Sequence, residues 1–273
     1  MSAQLCPLAS GSLGNALLMR TDRTAFLVDM GLTQRALTAG LASCGLQAGD
    51  IRAVLVTHTH RDHLSGAAVG WCLRHRIPVY STPDNLADFQ ERLAGFGGLV
   101  RAGLAAPIDG RTFAVGDVRA EAFDLPHDSP GRCLGFRFTF GPARARRAAA
   151  VATDLGHMPA DALPHFLDCE ALVLESNHDP EMLRASGRPW ELIERIAGPE
   201  GHLSNGSAAE ALAEIVGRSR PGRLRTVVLA HLSRDCNTPR LALAAQAHLA
   251  RRASDPIRVA AAGQFQPGPM VEL

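Results

Sequence analysis

Apolar positions along the chain fall into two kinds of short run, and the spacing inside each predicts an element. Compact runs rich in Val, Leu, Ile and Phe predict strands over residues 16–19, 25–29, 53–57, 78–81, 118–125, 134–140, 148–153, 171–175, 226–230 and 258–262. Runs with apolar residues three or four apart predict helices over 34–44, 64–75, 85–95, 189–196, 207–218 and 239–252. The last carries Leu241, Ala245, His248 and Leu249 as an amphipathic stripe. Many of the strands are separated only by short Gly-, Pro- and polar-rich stretches. That implies hairpins and antiparallel pairing beside helical crossovers, so a mixed sheet with outer helices fits better than a purely parallel fold. The stretch 141–147 (GPARARR) sits between two strands and reads as a hairpin tip. No Pro/Ser-rich linker divides the chain, which predicts one domain over residues 1–273, made of two similar halves meeting near residue 140.

Composition narrows the class. With 273 residues, 46% apolar and 20% charged, the chain can bury the core of one large α/β domain. No window approaches the ~20 uninterrupted apolar residues of a membrane span. The first 20 residues carry no positive charge before Arg20, and Gly and Ser break their apolar stretches, so they do not read as a signal peptide. A cytoplasmic location is expected. The six cysteines form no CxxC pair, which argues against a thiolate zinc knot and a disulfide framework and for reduced, buried thiols. A net charge of +1 gives no global signature for nucleic acid. All 28 basic residues are Arg, a pattern that a GC-rich coding bias explains and that also suits bidentate phosphate binding.

The sharpest feature is chemical. The apolar strand ending Ala53-Val54-Leu55-Val56-Thr57 runs straight into His58-Thr59-His60-Arg61-Asp62-His63. Residues two apart on extended backbone point the same way, so His58 and His60 can grip one ion. Asp62 and His63 follow where the chain turns into the next helix and can face a second. Imidazole and carboxylate suit Zn, Mn or Fe, and chance rarely places three His and one Asp in six residues at a strand end. One segment cannot complete two metal shells. Candidates for the remainder close other apolar runs: His127 after 118–125, Asp154 after 148–153 and His231 after 226–230.

These residues together resemble the metallo-β-lactamase superfamily. The resemblance implies an α/β four-layer αββα sandwich, two mixed sheets with helices on the outer faces. It implies a binuclear hydrolase in which His58, His60 and His127 hold one metal and Asp62, His63 and His231 the other. Asp154 then bridges the two, and Asp29, in Phe26-Leu27-Val28-Asp29-Met30-Gly31, orients a ligand. Four further stretches resemble the YycJ/WalJ subgroup, associated with exonuclease-type hydrolysis of nucleic acid: Ser10-Gly11-Ser12-Leu13-Gly14-Asn15, Glu175-Ser176-Asn177-His178-Asp179, Gly201-His202-Leu203-Ser204-Asn205 and Ala230-His231-Leu232-Ser233. Arg61 departs from that pattern, and an Arg beside the metals can clamp phosphate or face solvent.

His-Leu-Ser occurs at both 202 and 231. His231 ends a clear strand and is the better ligand. His202 and His178 remain candidates for substrate contact or proton transfer, against local roles within turns. Ser204 is a plausible helix N-cap and, with Asn205, a candidate substrate contact. SGSLGN reads as a tight hairpin, with an anion cradle as the alternative. Two cations ~3.5–4 Å apart sharing a water would furnish a hydroxide nucleophile at neutral pH, with Asp62 orienting it and His202 protonating the leaving alkoxide. The expected activity is 5′→3′ exonuclease-like phosphodiester cleavage of DNA or RNA ends. The alternative is a small-molecule hydrolase of the same fold, either a cyclic or nucleotide phosphodiesterase or a glyoxalase II-like thioesterase. A third reading, a non-enzymatic protein that kept the fold, fits poorly with so full a ligand set.

Overall fold

The computed structural model describes residues 2–273 except 109, 143, 145, 248 and 250–255. Among the described residues fourteen strands form two seven-stranded mixed sheets. The first contains β1 (Ala3–Ala9), β2 (Ala16–Thr21), β3 (Ala25–Val28), β4 (Ile51–Leu55), β5 (Val79–Ser81) and β6 (Ala105–Pro107), with β14 (Val271–Glu272) on the outer side of β1. The second runs from β7 (Thr112–Val115) through β8 (Val118–Leu125), β9 (Cys133–Phe140), β10 (Arg147–Ala152), β11 (Ala171–Glu175) and β12 (Thr226–Ala230) to β13 (Arg258–Ala261). Short hairpins pair β1, β2 and β3 antiparallel, and β7 to β10 likewise. The strands joined through helices, β3 to β6 and β10 to β13, pair parallel. The hairpin expected over 141–147 is the β9–β10 connection, with Phe140 opposite Arg147.

The sheets face each other over a core in which Leu5, Met19, Phe26 and Val28 of the first meet Phe136, Phe138, Val151 and Val228 of the second. The Phe26 and Phe138 rings lie 5.1 Å apart, a tilted pair worth more than its buried area alone. The outer face of the first sheet is covered by α1 (Gln34–Ser43), α2 (Gly66–His75), α3 (Pro83–Arg92) and α4 (Phe96–Arg101). The outer face of the second is covered by α7 (Asn205–Arg218) and α8 (Pro239–Ala245). Two shorter helices, α5 (Pro180–Arg184) and α6 (Trp190–Ala197), pack a small cluster of their own around Ile193 and Cys236. The layers are therefore helix, sheet, sheet, helix. The helix expected over 239–252 is shorter: α8 ends at Ala245, with Gln246 as its C-cap, while His248 of the stripe and residues 250–252 lie outside the described residues. All six cysteines are free and buried. Among the described residues no helix is long and apolar enough to cross a membrane.

Candidate metal centre

The parallel strands of both sheets deliver chemistry at their C-terminal ends, as open α/β sheets generally do. Asp29 follows β3, the segment 58–63 follows β4, Asp154 follows β10, Glu175 ends β11 and His231 follows β12. His127 arrives from the antiparallel strand β8. Asp29, Asp154 and His231 have left-handed backbone, with φ of 60°, 63° and 53°. For residues other than glycine that conformation costs of the order of 1 kcal/mol, and here it turns each side chain off its strand end into the site.

Among the described residues four groups have ligand atoms that lie within 4.8 Å of one another: His58, His60 and His127; Asp62, His63 and His231; His58, His63 and Asp154; and Asp154, Glu175, His202 and His231. Asp154 belongs to both sides of the cluster, at 3.2 Å from His63 Nε2, 3.8 Å from His127 Nε2 and 3.3 Å from His231 Nδ1. The structure thus brings together seven residues read from the sequence: 58, 60, 62, 63, 127, 154 and 231.

Three imidazoles are held by their Nδ1 atoms. His63 donates to Asp29 (2.8 Å), His127 to the Gly201 carbonyl (3.0 Å) and His231 to Glu175 (2.8 Å). Each Nε2 is thereby turned into the cluster, the arrangement by which acceptors orient metal-binding histidines. Asp29 is itself fixed by the Thr57 amide (2.8 Å) and hydroxyl (3.0 Å). Ser10 and Asn15 of the SGSLGN loop brace the same residues. The Ser10 hydroxyl accepts from the His231 amide (2.8 Å), and Asn15 Nδ2 reaches His63 Nε2 (3.1 Å) and Asp62 Oδ2 (3.3 Å). Asn15 also closes its own loop through the Gly11 amide and carbonyl, so the segment is a tight turn.

The electrostatics match a cation. Asp29, Asp62, Asp154 and Glu175 place four carboxylates around the imidazoles. Burial pulls the pKa of His63 down, but Asp154, Asp29 and Asp62 outweigh it and hold it well above the ordinary value. Burial likewise opposes His231, yet Asp154, Asp62 and Glu175 lift it to about 10. The buried carboxyl of Asp154, pushed up by burial, is held well below its usual range by His231 and His63. Burial, followed by the neighbouring His63, keeps His58 neutral, the form that binds metal. His58 Nε2 is buried with no hydrogen-bond partner, and Asp154 Oδ2 has only its ion pair with His63 Nε2 at 3.2 Å. An orphaned buried polar atom costs about 1–3 kcal/mol, and a divalent ion held by His58 would remove that cost. Donor chemistry, the orphaned atom and charge all fit metal.

Glu175 is the residue whose role the sequence did not reveal. Its carboxylate is fully buried, and Oε1 accepts from both His231 (2.8 Å) and His202 (2.9 Å). Oε2 accepts from the Leu155 (3.1 Å) and Leu203 (3.0 Å) amides. Burial raises the Glu175 pKa, but His202 and His231 bring it to about 2. His202 lines the cleft with its side chain 21% exposed; its pKa, lowered by burial, is raised overall by Glu175.

The cleft over the cluster has a volume of about 190 Å³. Ser12, Asp128, Arg195 and Ile196 line it beside His60, Asp62, His127, Asp154, His202 and His231. The other candidate substrate residues lie elsewhere. Arg61 is exposed and outside the cleft lining. His178 is buried, and burial depresses its pKa to about 4. Ser204 caps α7 through the Ser207 amide (3.0 Å). Asn205 is locked in a buried network with Ser176 and Asn237. The guanidinium at the cleft is that of Arg195, which sits in an ordinary-looking amphipathic helix and carries no motif signal.

The chain matches the family model described as "Beta-lactamase superfamily domain" over residues 24–231. It is 34% identical over 242 residues to "Exodeoxyribonuclease YycJ" of Bacillus anthracis, which covers 89% of this chain and 87% of that protein. It is 30% identical over 236 residues to "Exodeoxyribonuclease WalJ" of Streptococcus pneumoniae, covering 86% and 83%. Among solved structures, the metallo-beta-lactamase fold protein YhfI from Bacillus subtilis superposes with a TM-score of 0.71 at 15% identity over the whole of both chains. A diphosphatase from the PhnP family does so with a TM-score of 0.65 at 15% identity, over 100% of this chain and 98% of that one, and both likenesses speak for the fold alone. By sequence, layer order and the metal-ready cluster at its strand ends, the chain belongs to the metallo-β-lactamase superfamily, in the group that holds YycJ and WalJ, and is a metal-dependent hydrolase.

Proposed function

We propose that the chain is a binuclear phosphodiesterase that degrades nucleic-acid strands from an end, in the manner of a 5′→3′ exonuclease. The observation that carries this is the pair of neighbouring ligand trios, with Asp154 lying close to histidines of both. His58, His60 and His127 would hold one divalent ion, and Asp62, His63 and His231 the other, with Asp154 facing both. Bound there, Zn, Mn or Fe would supply Lewis acidity toward the phosphate oxygens and activate water near neutral pH. Asp62, with 22% of its side chain exposed and held by His231 and Asn15, would orient the attacking water. His202 has Nδ1 committed to Glu175, which leaves Nε2 to protonate the departing alkoxide.

Two further observations favour a nucleic-acid end over a small substrate. The relatives are named exodeoxyribonucleases. The cleft, at about 190 Å³, is also smaller than the ~300–1,000 Å³ pockets that enclose whole small molecules, so it suits one reacting group of a longer chain.

The test is turnover of labelled single-stranded DNA, RNA, bis-p-nitrophenyl phosphate and a thioester, with Mn or Zn, before and after chelation. Phosphodiester cleavage that disappears on chelation and returns with metal is the expected result. Thioester cleavage without phosphodiester cleavage would overturn it in favour of the glyoxalase II-like alternative. His202→Ala should slow DNA, with its poor leaving group, by roughly 10²-fold or more while slowing the p-nitrophenyl ester far less. Equal losses on both substrates would remove the proton-donor role.

A further inference from the structure

Two cavities open at the end of the sandwich opposite the metal centre. Strand β4 shows the separation. Arg52 stands near its start and the ligands 58–63 follow its end, with about 20 Å of extended chain between Arg52 and His58. The first cavity, of about 510 Å³, is lined by Arg20, Asp22, Arg23, Asp50 and Arg52 among others. The second, of about 470 Å³, is lined by Ala53 and Tyr80 of the first sheet and by Val115, Gly116 and Asp117 of the β7–β8 hairpin in the second. Arg23, Thr24 and Arg52 line both, so the cavities adjoin along these residues. Each falls in the ~300–1,000 Å³ range that encloses a whole small molecule, which the metal cleft does not.

Contacts between the sheets fix the walls. The Thr21 hydroxyl donates to the Asp117 carboxylate (3.0 Å), and the Asp117 amide donates to the Thr24 hydroxyl (3.3 Å). Gly116, with φ of 59°, lies so near that a Cβ on it would fall 2.1 Å from Thr24 Oγ1. The site is therefore built before any ligand arrives.

The charges lining it are unequally used. Each carboxylate is engaged by a neutral donor of the fold: Asp22 by the amide and hydroxyl of Ser2, Asp50 by the Gln47 amide and Asp117 by Thr21. Arg20 is held by Gln4 and by the Cys44 carbonyl (2.8 Å). The guanidiniums of Arg23 and Arg52 make no hydrogen bond or ion pair among the described residues. Guanidinium forks that the fold leaves unused match phosphate oxygens. The second cavity adds an aromatic wall. Tyr80 is half-buried against the core between the sheets, its ring stacked 6.5 Å from that of Phe113. A bare anion has no use for that wall, whereas a base does.

We infer that the two cavities form a nucleotide site that takes a nucleoside diphosphate, with its phosphates on Arg23, Arg52 and Arg20 and its base against Tyr80 and Val115. The site is separate from the metal centre, and the inference does not depend on the reaction proposed there.

Tyr80 is the only tyrosine of the chain, so protein grown with fluorotyrosine carries one fluorine resonance, at this site. The metal-loaded protein is titrated with the methylene analogue of ADP, which resists cleavage between its phosphates, and with pyrophosphate and adenosine. The ADP analogue should move the resonance saturably. Pyrophosphate, which lacks the base, and adenosine, which lacks the charge, should each bind at least roughly tenfold more weakly. Arg23→Ala and Arg52→Ala should each weaken the analogue roughly tenfold or more, the loss of one charge-assisted contact. Arg240→Ala, exposed and outside both linings, is the control that binds as wild type.

An analogue that leaves the resonance unmoved at millimolar concentration, or binds both arginine variants as tightly as wild type, would overturn the inference. Capture of the analogue by the metal ions gives that same result, with Tyr80 silent and the variants unaffected. Adenosine or pyrophosphate binding as tightly as the analogue removes the nucleotide. A resonance that moves on dilution of the protein alone makes this end a face between two copies, and the ligand site falls.

Discussion

Glu175 holds four donors with one carboxylate: two imidazoles on Oε1 and two backbone amides on Oε2. An amide cannot do this. In Glu175→Gln one terminal atom becomes an NH₂ donor, and whichever way the group turns it confronts either the two histidines or the two N–H groups. His231 then loses the acceptor that aims its Nε2, or the loop carrying Leu203 loses an anchor. Loss of such an orienting partner typically costs 10–100-fold in metal affinity. We expect Glu175→Gln to lower metal affinity by about that factor, measured by competition with a chromophoric chelator, with the fold retained by circular dichroism. Undiminished affinity would mean that Glu175 serves only the fold. The sequence marked Glu175 only as the first residue of the stretch 175–179 that carries the subgroup resemblance and gave it no role, because its partners His202 and His231 lie 27 and 56 positions away.

At the scale of elements, the turn bearing Asp62 and His63 is held by backbone as much as by side chains. The Asp62 carbonyl accepts from the Asn15 amide (2.8 Å), the His63 carbonyl from Met30 (2.7 Å), and Gly31 donates to Asn15 (2.9 Å). Gly31 is packed so tightly there that a Cβ on it would fall 1.8 Å from the Asp62 carbonyl oxygen. Gly31→Ala must therefore displace either the strand β3 exit or the Asp62 turn. We expect at least a tenfold loss of kcat/KM, since small misplacements of reacting groups are that costly. Gly49→Ala, with open space around its Cβ, provides the neutral comparison; equal activity of both variants would show that the turn tolerates movement.

The same scale explains what could be read in advance. The cluster 58–63 was legible because its ligand-type residues are contiguous and sit on a strand exit, where the two-residue period aims side chains. His127, Asp154 and His231 were visible only as polar residues closing apolar runs, and the family resemblance supplied their pairing. Strand β1 was missed because Pro7 interrupts it: proline gives no ladder hydrogen bond, and the register shifts between Pro7 and Ala9. The strands β6, β7 and β14 were missed because they are only two to four residues long. Arg61 drew attention through its position beside the cluster, yet its side chain is exposed, while Arg195 comes to the cleft from a helix more than 130 positions later. Sequence neighbourhood identified the turn, but only the packing of α6 identifies the cleft's arginine.

For the molecule as a whole, the cluster is a seam. His58, His60, Asp62 and His63 come from the first sheet, and His127, Asp154 and His231 from the second. Between the sheets lies an apolar core, but at this edge they meet through imidazoles and carboxylates. At this edge His63 and His231 face the carboxylates of Asp29, Asp62, Asp154 and Glu175, and His58 Nε2 is buried without a partner. An ion held by residues of both sheets would tie them together, and because the unfolded chain lacks the site, its binding free energy would add to folding. At a thousandfold excess over Kd one ion contributes about 4 kcal/mol. In a chain of this size each kcal/mol shifts Tm by about 2 °C. Stripping the metal should therefore lower Tm by roughly 8 °C or more, and adding it back should restore the loss. The shift should vanish in Asp154→Ala, which removes the carboxylate that faces histidines of both trios, but persist in Arg195→Ala, which leaves the cluster whole. A protein whose metal content falls on chelation while its Tm stays fixed would bind its ions away from the seam, and the ligand set would have to be drawn elsewhere.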